Sequence, residues 1–331
     1  MAGTKESQGK RVDIPRNWEE WEHEARKARL RDKQGIEAMI HDQRGLKSGS
    51  YIPFKQYLQL KVIWDRRLDC VDAPKGLGVL EVYVTATNWL AQCTTFKNYL
   101  ESMGGSTDVV PAMGVFRIPF EHQTTVRNFK FSQGSASVEA INEPVVNNSL
   151  VDLLMAICTE HPELQSMKST SQQVAFAANF GQNRKETKMT CHTDGVLVSR
   201  SSSQTELILE VKARVREEHE PAVTYQEAAE LVCALSMSPP QGMKRSQAIL
   251  IYQDSTELYI TKAVASDEYI AFLSGKENPN DESGFLRIKQ WGPWDIESRL
   301  ETKNFVSVVL ALMLQAASEE SERCRVRPRM S

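Results

Sequence analysis

Thr193-Asp194-Gly195 and, one short strand and a turn later, Leu207-Ile208-Leu209-Glu210-Val211-Lys212 place two carboxylates and a lysine where a divalent metal could be held. Along an extended strand successive side chains alternate faces. Glu210 and Lys212 therefore share a face with Ile208, while Leu207, Leu209 and Val211 point the other way. One face packs and the other carries charge. Charge beside a core is costly unless it is paired, hydrated, or engaged with a metal and its water. An acid-x-Lys triplet alone means little, because roughly two arise by chance in a chain of this length. Of the three present, Glu186-Thr187-Lys188 lies in a polar loop and Glu301-Thr302-Lys303 begins a helix, so only Glu210-Val211-Lys212 is carried on a rigid strand. A salt-bridged edge strand accounts for the same spacing without chemistry, and spacing alone leaves both readings open.

Other chemistry-bearing residues are weaker. Cys191-His192 beside Asp194 invites zinc, but no second Cys/His pair at ligand spacing accompanies it. Ser199 to Ser203 reads as a turn, with neither a nucleophile elbow nor a matching base. The six cysteines, Cys70, Cys93, Cys158, Cys191, Cys233 and Cys324, are scattered without a C-x-x-C pair, and the N-terminus lacks an apolar signal segment. These features point to reduced thiols in an intracellular protein, cytoplasmic or nuclear and not secreted. The longest apolar run, Phe305 to Ala317, is interrupted by Ser307 and Gln315 and falls short of the roughly 20 residues that span a bilayer, so no membrane partner is expected.

The elements that must position the charged strand follow from periodicity. At 331 residues, 41% hydrophobic and 25% charged, the chain can build a sizeable core, and a net charge of −3 excludes a general nucleic-acid coat and makes any such site local. Residues 1–16 form a polar tail. Trp18 to about Arg44 reads as a charged amphipathic helix whose Trp face packs on the domain, with Arg26, Lys27, Arg29 and Arg31 as the alternative contact for nucleic acid or a partner. Phe54 to about Leu68 reads as a second helix, and Val79 to Val84 as a β-rich run before a helical stretch, Trp89 to Leu100. Gly104-Gly105-Ser106 and Ser132-Gln133-Gly134-Ser135 read as loops, the second a domain boundary. Beyond it come a helix through Leu150, Leu153, Leu154 and Ile157 with Glu143 at its entrance, then strands Val174 to Phe180, Met189 to Val198 and Glu206 to Val211. A helix Thr224 to Leu235 follows, with Thr224 as N-cap and Glu227 as its capping-box partner. A hairpin of Gln247 to Gln253 and Glu257 to Ala263, and a long helix from about Ile296 to Ala317, complete the pattern, leaving a basic tail with Arg323, Arg325, Arg327 and Arg329. This order predicts a mixed α/β fold with one central sheet.

Thr193-Asp194-Gly195, Leu209-Glu210-Val211-Lys212-Ala213, Tyr225-Gln226 with Glu230, and the preceding Asn142-Glu143 and Val146-Asn147 together resemble the PD-(D/E)XK nuclease superfamily, most closely the nuclease-like proteins of filamentous fungi. The likeness extends through Ile251-Tyr252-Gln253-Asp254, Glu257-Leu258-Tyr259-Ile260, Asp267-Glu268-Tyr269 and Trp291-Gly292-Pro293-Trp294, with Thr193 where the family has proline. It covers about residues 136–317. It implies an α/β, restriction-endonuclease-like core (a central mixed sheet flanked by helices), preceded by a mixed α+β N-terminal extension over 17–135 and followed by a basic tail over 318–331.

The same resemblance implies function. Asp194 and Glu210 would ligate Mg²⁺, or Mn²⁺ in its place, joined by the Val211 carbonyl, with Glu143 completing the acidic cluster. Lys212 would orient or deprotonate the attacking water, whose pKa the metal lowers, and Gln226 would hold water or phosphate. Glu139 and Glu160 compete with Glu143 for its role. His192, Arg214 and Arg216 would approach or steer the substrate. The implied activity is phosphodiester hydrolysis of nucleic acid, DNA rather than RNA and endonucleolytic rather than exonucleolytic, in a protein for which a homodimer is convenient. The competing readings are an inactive nuclease-fold scaffold and an enzyme acting on a small molecule, whose cavity around Glu210 would be closed and apolar.

Overall fold

The computed structural model describes residues 14–30, 39–43, 45–103, 111–132, 142–180, 187–237, 246–276 and 281–326. Their strands are β1 (Val62–Trp64), β2 (Met167–Thr170), β3 (Val174–Asn179), β4 (Lys188–Thr193), β5 (Gly195–Ser199), β6 (Thr205–Lys212), β7 (Gln247–Asp254), β8 (Glu257–Val264) and β9 (Leu286–Asp295). The helices are α1 (Trp18–Lys27), α2 (Phe54–Gln59), α3 (Ala73–Leu77), α4 (Leu80–Gln92), α5 (Thr94–Ser102), α6 (Arg117–Ser132), α7 (Glu143–Glu160), α8 (Ala222–Ser236), α9 (Asp267–Leu273) and α10 (Arg299–Val326). Seven strands form one mixed sheet in the order β1-β9-β8-β7-β6-β5-β2, and β3 pairs with β4 in a separate ribbon. The pairs β6–β7 and β1–β9 are parallel and the rest antiparallel.

Strand β6 lies inside the sheet, and every residue from Thr205 to Val211 is buried. Its β-prone apolar run suits a strand covered on both faces. Of the conditions under which charge beside a core is tolerated, Glu210 meets pairing rather than hydration: it is 2% exposed and bonded by Lys212. Alternation on β7 shows what covers each face. Gln253 accepts a hydrogen bond from Ser149 of α7, whereas its neighbour Asp254 joins Arg216, which also pairs with Glu227 of α8. Helices α7 and α8 thus sandwich the middle of the sheet.

The N-terminal third is woven into the same body. Strand β1 completes the sheet edge beside β9, Tyr57 of α2 stacks on Tyr225 of α8 at 4.6 Å, and α4 packs along α10. Helix α2 ends at Gln59, so the expected helix to Leu68 is not formed: Lys61 takes a left-handed φ of 52°, and Val62, Ile63 and Trp64 bury themselves as strand. The β-rich run at Val79 to Val84 is also corrected. It is helical, because α4 buries Ala86 and Leu90 against the body while Leu80 and Val84 face solvent, and tertiary packing outweighs a weak β preference. Trp21 is fully buried and hydrogen-bonds the Leu58 carbonyl, as expected of a packed Trp face, while Arg26 and Lys27 pair with Glu22 and Glu24 of their own helix. The expected loops and boundary at 104–106 and 133–135, the tail over 1–13, the triplet residue Glu186, and Arg31, Glu139, Arg327 and Arg329 lie outside the described residues.

Helix α10 is long and apolar enough by composition to cross a bilayer, yet Phe305, Val306, Val309, Leu310 and Met313 are fully buried in the protein. It runs on to Val326, beyond the predicted end. There Arg323 bridges Glu206 at 2.6 Å and Glu320 at 2.8 Å, and Glu320 accepts from Ser199. The start of the basic tail thus secures the β5–β6 turn.

Gly195 opens β5 where strand β2 passes closest. A Cβ there would stand 2.6 Å from the Thr170 carbonyl oxygen and 3.3 Å from Leu209 Cδ1. Backbone cannot retreat as a flexible side chain can, so Gly195→Ala forces β2 and β5 apart. We expect a loss of about 1–3 kcal/mol in urea denaturation; an unchanged midpoint would show that β2 yields freely.

Candidate metal centre

Two strands and one helix bring the acidic residues together. The chain breaks between β4 and β5 at Asp194, whose N–H donates to the Leu209 carbonyl and whose Oδ2 accepts the Val211 N–H at 3.0 Å. These two bonds latch Asp194 to β6 beside Glu210. Glu143 comes from the first turn of α7, where a carboxylate is favoured by the helix dipole, and Asn147 one turn on donates to the Asp194 carbonyl at 3.1 Å. One carboxylate oxygen each from Glu143, Asp194 and Glu210 lie within 4.8 Å of one another. Glu160 is at the far end of α7, about 25 Å away by helical rise, and accepts from Thr95 at 2.7 Å, so it does not compete with Glu143.

Lys212 spans the cluster. Its Nζ lies 2.7 Å from Glu210 Oε1, 3.3 Å from Glu143 Oε1 and 3.0 Å from the Val211 carbonyl oxygen. Gln226 donates to Glu210 Oε1 at 2.6 Å and to Glu230 Oε1 at 2.8 Å. Glu210 thus receives two donors on one oxygen, while among the described residues its buried Oε2 has no hydrogen-bond donor. Glu143 and Lys212 are 47% and 20% exposed, so the cluster opens to solvent at one side and is buried at the other.

Burial pushes the Glu210 carboxyl up to about 8; Lys212 opposes that rise and the negative charges of Asp194 and Glu143 reinforce it. Asp194 is raised for the same first reason, partly offset by its bond from Val211 N–H. Lys212 is pushed upward by its carboxylate neighbours against the desolvation that lowers it, and stays charged. When all three acids ionise, three carboxylates face one ammonium and two negative charges remain, which a divalent cation would balance. The donor set fits: hard carboxylate oxygens within mutual reach, one with an unused buried lone pair, suit Mg²⁺ or Mn²⁺. The Val211 carbonyl points into the same cluster but is shared with Lys212.

A carboxyl whose folded pKa exceeds its unfolded value binds protons more readily when folded, so its contribution to stability is full below about 4.5 and is lost as pH rises through about 8. Without divalent cation, urea stability should fall between pH 5 and pH 8.5 by as much as about 1.4 kcal/mol per pH unit for such a group. Mn²⁺ should reverse part of that fall above pH 8 and little of it at pH 5. A stability curve that rises with pH, or a Mn²⁺ effect independent of pH, would contradict this protonation.

The remaining expected site residues separate. His192 is exposed on β4 opposite Ala175, facing away from the buried Cys191, whose Sγ lies 3.3 Å from Cys233 Sγ. Arg214 is exposed. Arg216 is corrected: its side chain is 2% exposed, 2.7 Å from Glu227, 3.2 Å from Asp254 and 3.1 Å from Glu220, with its guanidinium over Tyr252 and Tyr259. A guanidinium committed to buried carboxylates cannot steer a substrate in solution. The expected capping box is corrected with it, since α8 starts at Ala222 and Glu227 serves Arg216. The sequence signals for Glu227 and Asp254 were hidden because their partner lies 11 and 38 residues away. No family model and no curated protein matches the chain.

Proposed function

We propose that this protein is a divalent-metal-dependent nuclease with a restriction-endonuclease-like core, hydrolysing phosphodiester bonds in nucleic acid, DNA before RNA. The observation that carries the reading is the convergence of Glu143, Asp194 and Glu210 within 4.8 Å, with Lys212 2.7 Å from Glu210. Support for such a core comes from the mixed sheet flanked by α7 and α8, in which β6 pairs antiparallel with β5 and parallel with β7. The opening of the cluster to solvent at Glu143 and Lys212 favours a polymer substrate over a small molecule sealed in an apolar cavity.

In this reading Asp194, Glu210 and Glu143 would hold Mg²⁺ or Mn²⁺, with the Val211 carbonyl a further oxygen beside them. Bound there, the ion would supply Lewis acidity to a phosphate oxygen and lower the pKa of water. Lys212, charged and held between Glu143 and Glu210, orients that water and meets negative charge growing on the phosphate. Gln226 fixes the Glu210 carboxylate from the α8 side. His192 and Arg214, both exposed, remain the residues for substrate contact.

The test is cleavage of plasmid, single-stranded DNA and RNA with Mg²⁺ or Mn²⁺, run beside calorimetric titration of the cation. Cation binding together with cleavage lost in Lys212→Ala supports the nuclease and ranks its substrates. Absence of both from folded protein returns the site to a scaffold in which Lys212 serves only as a structural ion pair.

A further inference from the structure

Gln226 and Glu230 stand one turn apart on α8 and face the sheet side by side. Both are buried, at 7% and 1% exposure. The Gln226 amide nitrogen donates one hydrogen to Glu210 and the other to Glu230, so both of its N–H groups are used. The reverse orientation would press the amide oxygen against two carboxylates, so the pair of acids dictates which way the amide turns. Among the described residues Gln226 is the one hydrogen-bond donor to that Glu230 oxygen, and the second oxygen, like that of Glu210, is buried without a hydrogen-bond partner. Burying a carboxyl here is costly, and a leucine would fill the space without that cost.

We propose that Glu230 is a positioning residue for the candidate metal centre: it anchors Gln226, which holds Glu210 Oε1 against rotation and leaves Oε2 for the cation. The chain of contact runs Glu230, Gln226, Glu210, with Lys212 bracing the same Oε1 from the open side. Residues that orient metal ligands from behind commonly govern affinity by 10- to 100-fold when removed. The proposal rests on the metal-dependent reading of Asp194 and Glu210, yet it makes a claim about the cation-free protein that can be read by itself.

The experiment compares Glu230→Leu, Glu230→Gln, Gln226→Leu and the Gln226→Leu/Glu230→Leu double variant. In cation-free protein, the Gln226 side-chain amide, identified by its loss in Gln226→Leu, should give two shifted, exchange-protected NMR signals. They should persist in Glu230→Gln, which keeps the acceptor, and collapse toward solvent-averaged positions in Glu230→Leu. Calorimetric titration with Mn²⁺ should then show affinity about 10-fold weaker or more in Glu230→Leu, largely recovered in Glu230→Gln, with no further loss in the double variant relative to Gln226→Leu. Amide signals that stay shifted and protected in Glu230→Leu, or additive losses in the double variant, overturn the proposal. Wild-type protein that shows the protected amide but binds no Mn²⁺ overturns the metal reading and, with it, the assigned purpose of the anchor. Should Glu230→Leu not fold, Glu230→Met carries the same comparison.

Discussion

Lys212→Ala should reduce metal-dependent cleavage by about 10²- to 10⁴-fold at saturating cation, the range typical of a group that acts on a proton or on developing charge. The side chain is only 20% exposed and its Nζ contacts Glu210, Glu143 and the Val211 carbonyl, so no other described residue takes its place at the cluster. Lys212→Arg should not rescue it. A planar guanidinium does not reproduce a compact ammonium seated 2.7 Å from one carboxylate oxygen and 3.0 Å from a main-chain oxygen. Lys212→Ala should leave cation binding largely in place, because the carboxylates remain and a positive charge beside them is gone. A variant that loses activity only through lost Mn²⁺ affinity would mean that Lys212 shapes the acidic cluster rather than acting on water or phosphate. Cleavage assays at graded Mn²⁺ separate the two outcomes.

Arg216→Ala should destabilise the protein by about 3–5 kcal/mol, the cost of leaving buried carboxylates without their counter-charge. Glu227 and Asp254 are both fully buried, and Arg216 is the cation that meets them. Burial already pushes Asp254 up to about 8 despite Arg216, so removing the arginine raises both acids further and forces them to hold protons. The network reaches Gln290, whose amide donates to Glu227 at 3.2 Å and Thr261 at 3.1 Å, and so ties α8 to β8 and β9. Urea denaturation at pH 7 reads the loss directly, with an unchanged slope showing that two-state unfolding is retained. A change below about 0.5 kcal/mol would mean that water or a shifted side chain replaces the guanidinium. Replacing Arg216, Glu227 and Asp254 together by apolar residues of similar volume should cost far less, because no charge is then stranded. Arg216 therefore belongs to the folding of the part of the sheet that carries Lys212, not to substrate capture.

The two arginines just beyond the motif show where sequence reading stops. Arg214 and Arg216, two and four residues beyond Lys212, are of the same type and share one stretch of chain, yet one is exposed and the other is sealed beneath α8. Only long-range packing distinguishes them. Glu230 is similar: one turn from Gln226 it resembles an ordinary polar helix residue until α8 is laid on β6 and it faces inward. In the N-terminal third, Val79 to Val84 has the composition of a strand, yet residues 80–84 are helix, in an element whose Ala86 and Leu90 are buried and which packs along α10.

What the sequence determined by itself was set by backbone geometry over a few residues. The twofold alternation that puts Glu210 and Lys212 on one side of β6, the hairpin through Asp254-Ser255-Thr256, and the amphipathic spacing of α7 behind Glu143 all follow from local periods of strand and helix. The tertiary structure alone decided which charges meet. It latched Asp194 to Val211 across two strands, set Glu143 against Lys212 from 69 residues away, and buried Arg216 among acids. Local geometry fixes the direction in which a side chain points. The cost of burying charge, which depends on what other segments bring to the same place, fixes what it must meet there.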